Sequence, residues 1–280
     1  MEYVIKKKLA ALALCLLLVM SVVLCGCSQN VEANKNRKIN SVNHRGYGDA
    51  PENTLSAYRL SKEMGFTMVE CDVCFTKDGQ AVLLHDDTVN RTSNINSQGK
   101  VKISDLTLAE ARELDFGSWK NDKYKGEKIP TYQEFIDLCV ELELYPYIEI
   151  KNGATAEQVA YLAEVVANSE LTTVTWIARN IDFLSQLAEI RPDDRLGLIV
   201  NIVSSKSIKA LAEIDKGRNL CFIDVWYSLL TIPQINSCKK SNMPLEVWTL
   251  DDKDKIANID PYITGVTSNF VNSEKLFETL

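Results

Sequence analysis

The chain has 280 residues, 46% of them hydrophobic and 25% charged, with a formal net charge of −7. Such a chain lacks the basic stripe of a nucleic-acid binder, so no nucleic-acid partner is expected. An anionic small molecule stays open, because a few local Arg and Lys govern one pocket. The length fits one large domain, and an α/β barrel of roughly 250 residues is within reach.

The chain begins with Lys6, Lys7 and Lys8, an apolar run from Leu9 to Cys25, and then Gly26, Cys27 and Ser28. A charged start, an apolar middle and a small residue at the cut describe a secretory signal over residues 1–26. The run is shorter than the ~20 residues a membrane span prefers. Leu24-Cys25-Gly26-Cys27 resembles the bacterial lipobox, which implies lipidation of Cys27 and an extracytoplasmic lipoprotein anchored at the bacterial cell membrane. Residues 27–40 then read as a polar tether and residues 41–280 as the folded domain. Five further cysteines remain, an odd number that argues against a full disulfide framework. Cys71-x-x-Cys74 has the spacing of a redox or zinc half-site. On a strand, however, those positions face opposite sides, so buried apolar thiols are expected.

Ile39 to Val42 reads as a first strand leading into His44, with Gly46 and Gly48 in the loop that follows. Asn53 reads as a helix N-cap, Leu55, Ala57, Leu60 and Met64 as the inner stripe, and Gly65 as the stop. Thr67 to Val73 is a second strand. Asp78-Gly79 signals a turn before a third strand, Ala81 to His85. A tight turn centred there pairs Asp72 with His85. Periodicity weakens from 87 to 128, which reads as an insertion with one short helix, Leu108 to Asp115. Thr107-x-x-Glu110 is its capping box and Gly117 its stop. From Pro130 onward strands and helices alternate regularly to the last helix at Asn272 to Leu280. That alternation implies a parallel sheet closed into a (β/α)8 TIM barrel with a small insertion after the third strand. Nine strand candidates leave one outside the barrel or irregular. An open doubly wound sheet would want a Gly-x-Gly-x-x-Gly turn after the first strand, and His44-Arg45-Gly46-Tyr47-Gly48-Asp49 is not one.

In such barrels the chemistry sits at the C-terminal ends of the strands. The polar residues there are His44 and Arg45, Glu70 and Asp72, His85, Glu149 and Lys151, and Trp248. His44 and His85 are the only two histidines of the chain, and imidazoles titrate near neutral pH, where acid–base catalysis needs them. Glu70 and Asp72 share one face of a strand, as do Tyr147, Glu149 and Lys151. Three carboxylates without a soft ligand suit a hard divalent cation, Mg²⁺ or Ca²⁺. The competing reading of each acid is a solvated charge or a core ion pair. Trp248 reads equally as core or as a ligand platform. A cation, two imidazoles, an Arg and a Lys together describe phosphoryl chemistry.

These residues fall in ordered motifs. His44-Arg45-Gly46 and Pro51-Glu52-Asn53-Thr54 come first. Glu70-x-Asp72-Val73, Thr76-x-Asp78-Gly79 and His85-Asp86 with Arg91-Thr92 follow. Gly99-Lys100-Val101, Asp105-Leu106-Thr107, Ile129-Pro130-Thr131, Ile148-Glu149-Ile150-Lys151 and Val247-Trp248-Thr249 complete the series. From Ser41 to about Val271 the chain resembles the glycerophosphodiester phosphodiesterases. The resemblance implies a TIM barrel that hydrolyses glycerophosphodiesters to glycerol 3-phosphate and an alcohol. It implies His44 and His85 as the acid–base pair, and Glu70, Asp72 and Glu149 as metal ligands. Arg45 and Lys151 would lie on phosphate and Trp248 at the glycerol end. Two late loops depart from the family pattern, Thr267-Ser268-Asn269-Phe270 and the Leu250-Asp251 that follows Trp248-Thr249. They are expected to bear on substrate detail more than on chemistry. Two other readings are a phospholipase-type phosphodiesterase acting on intact lipid or teichoic acid, and a non-catalytic lipoprotein that binds phosphodiesters.

Overall fold

β-Branched and aromatic runs bounded by turn residues form nine strands among the described residues of the computed structural model, which are 30–280. The predicted signal peptide 1–26 and Cys27 lie outside them. Eight strands run parallel and close on themselves: β1 (Asn40–Asn43), β2 (Met68–Phe75), β4 (Tyr145–Ile150), β5 (Thr175–Ala178), β6 (Arg195–Val200), β7 (Cys221–Trp226), β8 (Leu245–Trp248) and β9 (Ile263–Ser268), with β9 back on β1. This is the expected (β/α)8 barrel. The ninth strand, β3 (Ala81–Leu83), pairs antiparallel with the C-terminal overhang of β2, outside the ring. Its register is one residue off the sequence expectation. Val73 faces Leu83, and the Leu84 N–H donates to the Asp72 carbonyl, so Asp72 lies opposite Leu84 rather than His85. The cause is a five-residue loop centred on Asp78, in which the Thr76 hydroxyl donates to Asp78 and accepts from the Gln80 N–H.

Helices α1 (Leu55–Glu63), α3 (Tyr132–Glu141), α4 (Ala156–Ala167), α5 (Ile181–Ile190), α6 (Ser205–Asp215), α7 (Ile232–Lys240), α8 (Lys253–Ala257) and α9 (Ser273–Glu278) follow the barrel strands; the short α2 (Leu108–Glu113) lies in the insertion. The Thr107 and Thr131 capping boxes both form. Helix α2 ends at Leu114, before Gly117, because the chain there turns extended. Gly117 serves another end: a Cβ on it would collide with the Tyr124 carbonyl. The insertion carries its own small core, in which Val89, Ile103, Ala111, Phe116 and Ile129 pack on Val82 and Leu84.

Two expectations near α1 are corrected. Thr54, not Asn53, caps the helix; Asn53 takes a left-handed backbone, φ 56°, and its amide turns into the barrel. The buried face is Ala57, Tyr58 and Ser61 rather than Leu60 and Met64. Tyr58 and Ser61 are buried at no polar loss, since their hydroxyls donate to Asn53 and Asn43. The predicted tether is also docked from residue 30 onward. Asn34 donates to the Ala257 and Ile259 carbonyls, and the Arg37 guanidinium bonds the Ile263 carbonyl. These partners lie at or before the start of β9, so the segment covers the N-terminal end of the barrel. The five described cysteines are unpaired, with Cys71 in the main core and Cys74 against the insertion core.

Inside the ring, Val42, Tyr147, Ile177, Ile199 and Phe222 fill the middle. Below them Arg195 donates to Tyr147 and Glu246, and Asn40 donates to Glu246. Gly265 makes room for this polar floor: a Cβ there would sit 2.5 Å from Glu246 Cδ. The interior is thus packed below and open only at the C-terminal mouth.

Candidate metal centre and phosphodiester pocket

The mouth holds a cavity of about 640 Å³, and seven of the eight residues predicted for the site line it: His44, Arg45, Glu70, His85, Glu149, Lys151 and Trp248. The eighth, Asp72, is fully buried at its base. Strand periodicity brings the acids together. Glu70 and Asp72 are two apart on β2, and Glu149 is the cross-strand partner of Asp72 on β4. One oxygen from each of the three carboxylates lies within 4.8 Å of the others.

Lys151 Nζ lies between two of these acids, 3.1 Å from Asp72 Oδ1 and 2.9 Å from Glu149 Oε1. Asn53 Nδ2 donates to Asp72 Oδ2 at 2.8 Å, and Arg45 Nε is 3.2 Å from the same oxygen. The Arg45 backbone N–H donates to Glu70 Oε2. That aim needs Arg45 in the left-handed region, φ 57°, a strain on the order of 1–3 kcal/mol that concentrates at functional sites. Gly46 continues the turn at φ 83°, and a Cβ on it would lie 2.5 Å from that of Ala57.

Burial, then the charge of Asp72, pushes the Glu70 carboxyl well above its ordinary value, and the same causes raise Glu149 to about 6. Burial opposes ionisation of Asp72 too, but Lys151 and Arg45 outweigh it and hold that carboxyl well below the usual range. With all three ionised, the acids would carry more negative charge than Lys151 and an Arg45 shared with Glu52 offset. An all-oxygen set of this kind fits a hard divalent cation.

The two imidazoles are held by separate networks. His85 Nδ1 is 2.7 Å from Asp86 Oδ1. Arg91 donates to Asp86 Oδ2 and, through both terminal nitrogens, to Glu52; Glu52 also accepts from Arg45. The Arg91 guanidinium holds Asp86 down to about 2, so this carboxylate accepts and His85 Nδ1 carries the proton. His44 Nδ1 is 2.9 Å from Asn269 Oδ1. The Asn269 amide orientation follows from its other end, where Nδ2 donates to Asp251 Oδ2 at 2.6 Å. His44 Nδ1 is therefore the donor. In both rings Nε2 keeps its lone pair for chemistry. Burial, then the Arg45 guanidinium, pushes His44 down to about 4; burial also lowers His85.

Asp251 and Asn269 lie in the two late loops that depart from the family pattern. Here they bond to one another, with Asp251 Oδ1 also accepting from Ser268 Oγ and the Asn269 N–H. Their end point is the His44 ring. Trp248 donates through Nε1 to the Asp224 carbonyl and lies under the Arg179 guanidinium at 5.4 Å. Sequence reasoning assigns no role to Arg179 or Asp224. Their signal is a charged residue on the inward face of an otherwise apolar strand or at its end.

The model of the "Glycerophosphoryl diester phosphodiesterase family" matches residues 44–273. A glycerophosphodiester phosphodiesterase of Caldanaerobacter subterraneus is 29% identical over 239 residues, spanning 82% of this chain and 95% of that protein. A phosphodiesterase of Oleispira antarctica, solved in complex with the product sn-glycerol-3-phosphate, superposes with a TM-score of 0.76. It is 27% identical and covers 86% of this chain and 97% of its own. A Thermotoga maritima glycerophosphodiester phosphodiesterase shares the fold at a TM-score of 0.65 and 24% identity, over 87% and 99% of the two chains. With the matched span containing both histidines and all three acids, the chain belongs to the glycerophosphoryl diester phosphodiesterase family.

Proposed function

We propose that this phosphodiesterase hydrolyses glycerophosphodiesters to glycerol 3-phosphate and an alcohol. Glu70, Asp72 and Glu149 would hold a divalent cation, Mg²⁺ or Ca²⁺. The observation that carries the reading is the convergence of the three carboxylates in one cavity with two imidazoles whose Nε2 atoms are free. When bound, the cation offsets charge building on the phosphate oxygens. Arg45 and Lys151, now paired with the acids, line the same cavity and present cationic groups to those oxygens. One imidazole takes a proton from the attacking water at Nε2, and the other, which must first be protonated at Nε2 as well as Nδ1, gives that proton to the leaving alkoxide. Asp86 and Asn269 hold the proton on Nδ1 of each ring, so that Nε2 is the atom that takes up and returns the proton. The test is release of glycerol 3-phosphate from glycerophosphocholine by purified protein supplied with Mg²⁺ or Ca²⁺. No release with either ion removes the reading.

One observation favours a second substrate class. Ile202 is 57% exposed and Ile232 71%; Ile202 follows the C-terminal end of β6, Trp226 ends β7, and the exposed Leu229 and Ile232 come after it. An apolar rim there suits the chain of an intact lipid. Faster turnover of a lysophospholipid than of glycerophosphocholine would support it. The lipoprotein reading weighs against this in the chain's own membrane. Lipidated Cys27 would stand three residues before residue 30 in sequence. The docked segment covers the N-terminal end of the barrel, so the mouth would face away from the bilayer. Labelling of Cys27 by a palmitate analogue, lost in Cys27→Ala, tests the anchor.

The His44 support predicts a reciprocal exchange. Asn269→Asp places a carboxylate against Asp251 and is expected to lower kcat about 10- to 100-fold, the range for loss of an orienting partner. Adding Asp251→Asn restores an amide–acid pair and is expected to recover most of the loss. A double variant no better than Asn269→Asp, measured as kcat on glycerophosphocholine, overturns the account.

A further inference from the structure

Asp224 stands apart from every other acid of the barrel interior. It lies on β7 between Phe222 and Trp226 of the same inward face, is 5% exposed, and lines the cavity. Its Oδ1 is buried with no hydrogen-bond partner among the described residues. The neighbouring acids are committed: Glu246, its cross-strand partner, takes Arg195 and Asn40, and Glu149 takes Lys151. The nearby cations are committed as well. Arg195 bonds Tyr147 and Glu246, and Arg179 bonds Asn201 while covering Trp248. A buried polar atom left unpaired is costly and calls for a partner from outside the protein.

The barrel order says where that partner comes from. Counting round the ring from β2 through β4, β5 and β6, β7 is the fourth step, diametrically opposite β2 of an eight-strand closure. A phosphate held on that side by Arg45, Lys151 and a cation on Glu70 and Asp72 would leave the opposite side of the mouth, with Asp224 and Trp248, for an organic end. Trp248 is fixed there by its bond to the Asp224 carbonyl. Burial, then the charge of Glu246, raises the Asp224 carboxyl well above the ordinary carboxylate range. A carboxyl in that state donates and accepts, which matches an alcohol and gives no purchase to a second phosphate or a cation.

We propose that Asp224 is a specificity-determining residue that hydrogen-bonds a hydroxyl of the glycerol moiety, an inference that rests on the glycerophosphodiester reading above. A site that pairs a substrate hydroxyl rejects the analogue lacking it, because the buried group is then left unpaired.

Glycerol 3-phosphate and propyl phosphate differ only in the two hydroxyls and make the test. Their affinities for the Mg²⁺- or Ca²⁺-loaded protein are measured by titration calorimetry in wild type, Asp224→Ala and Asp224→Asn. Wild type is expected to prefer glycerol 3-phosphate about 10- to 100-fold. Asp224→Ala is expected to bring the preference within about 3-fold while leaving propyl phosphate affinity unchanged. Asp224→Asn keeps a donor and an acceptor and is expected to retain most of the preference. No preference in wild type overturns the proposal. So does equal weakening of both ligands in Asp224→Ala, or an Asn variant no better than Ala. Failure of wild type to turn over glycerophosphocholine, with the binding preference intact, removes the catalytic reading and leaves the assignment of Asp224 standing.

Discussion

His44→Ala and His85→Ala are each expected to lower kcat on glycerophosphocholine about 10²- to 10⁴-fold, the contribution of a positioned acid or base. The rings sit at the mouth and are part-exposed, so the melting temperature should move little. Because both act in one displacement, the double variant should fall far short of the product of the two single losses. The pH profile carries a second signature. Burial holds both imidazoles below their ordinary value of 6.5, His44 at about 4. A base must be neutral, and an imidazole is neutral above its pKa. The acid limb of kcat/KM is therefore expected below pH 6.5, with activity lost as pH falls through it. Undiminished turnover in either alanine variant, or an acid limb above pH 7, would sink the imidazole mechanism.

The barrel was legible because its signal is local. Apolar period-two runs alternating with capped helices fix the βα order whatever the rest of the chain does. The same periodicity places Glu70 with Asp72, and Glu149 with Lys151, on inward faces. Long-range pairings left weaker marks. The register of β3 depended on whether the turn held four or five residues, which the Thr76–Asp78–Gln80 bonds decide. Asn53 reads as a cap from the sequence alone. Its bond to buried Asp72 turns it inward and leaves the cap to Thr54. Residues 30–38 read as tether because their polarity has no period, yet Asn34 finds two carbonyls more than 220 residues away. Asp251 and Asn269 looked like loop variation. Only folding puts them on one chain of bonds to His44. What the sequence withheld, then, is which polar residues satisfy one another across loops.

Chelation is expected to reduce turnover to background, with recovery on adding back Mg²⁺ or Ca²⁺. The reason is electrostatic. Three carboxylates within 4.8 Å of one another have one lysine and one arginine nearby, and Arg45 is shared with Glu52. Burial, then the charge of Asp72, holds Glu70 and Glu149 above their ordinary values, so without further positive charge they favour protons. A cation that binds only the folded chain also stabilises it, by about 2.7 kcal/mol at a hundredfold excess over its dissociation constant. Melting temperature should rise on metal addition in wild type. The rise should vanish in Asp72→Asn and Glu149→Gln, with activity lost in the same variants. The pH dependence has a stated sign: protons compete with the cation for Glu149, raised to about 6, so metal affinity should fall as pH drops through that value. The ion that gives the larger melting shift reports the site's geometry. Mg²⁺ demands near-octahedral coordination at 2.0–2.1 Å and Ca²⁺ tolerates six to eight oxygens at longer range. Full activity in chelated protein, or an unchanged metal-induced shift in Asp72→Asn, would leave these acids as a structural ion-pair cluster around Lys151.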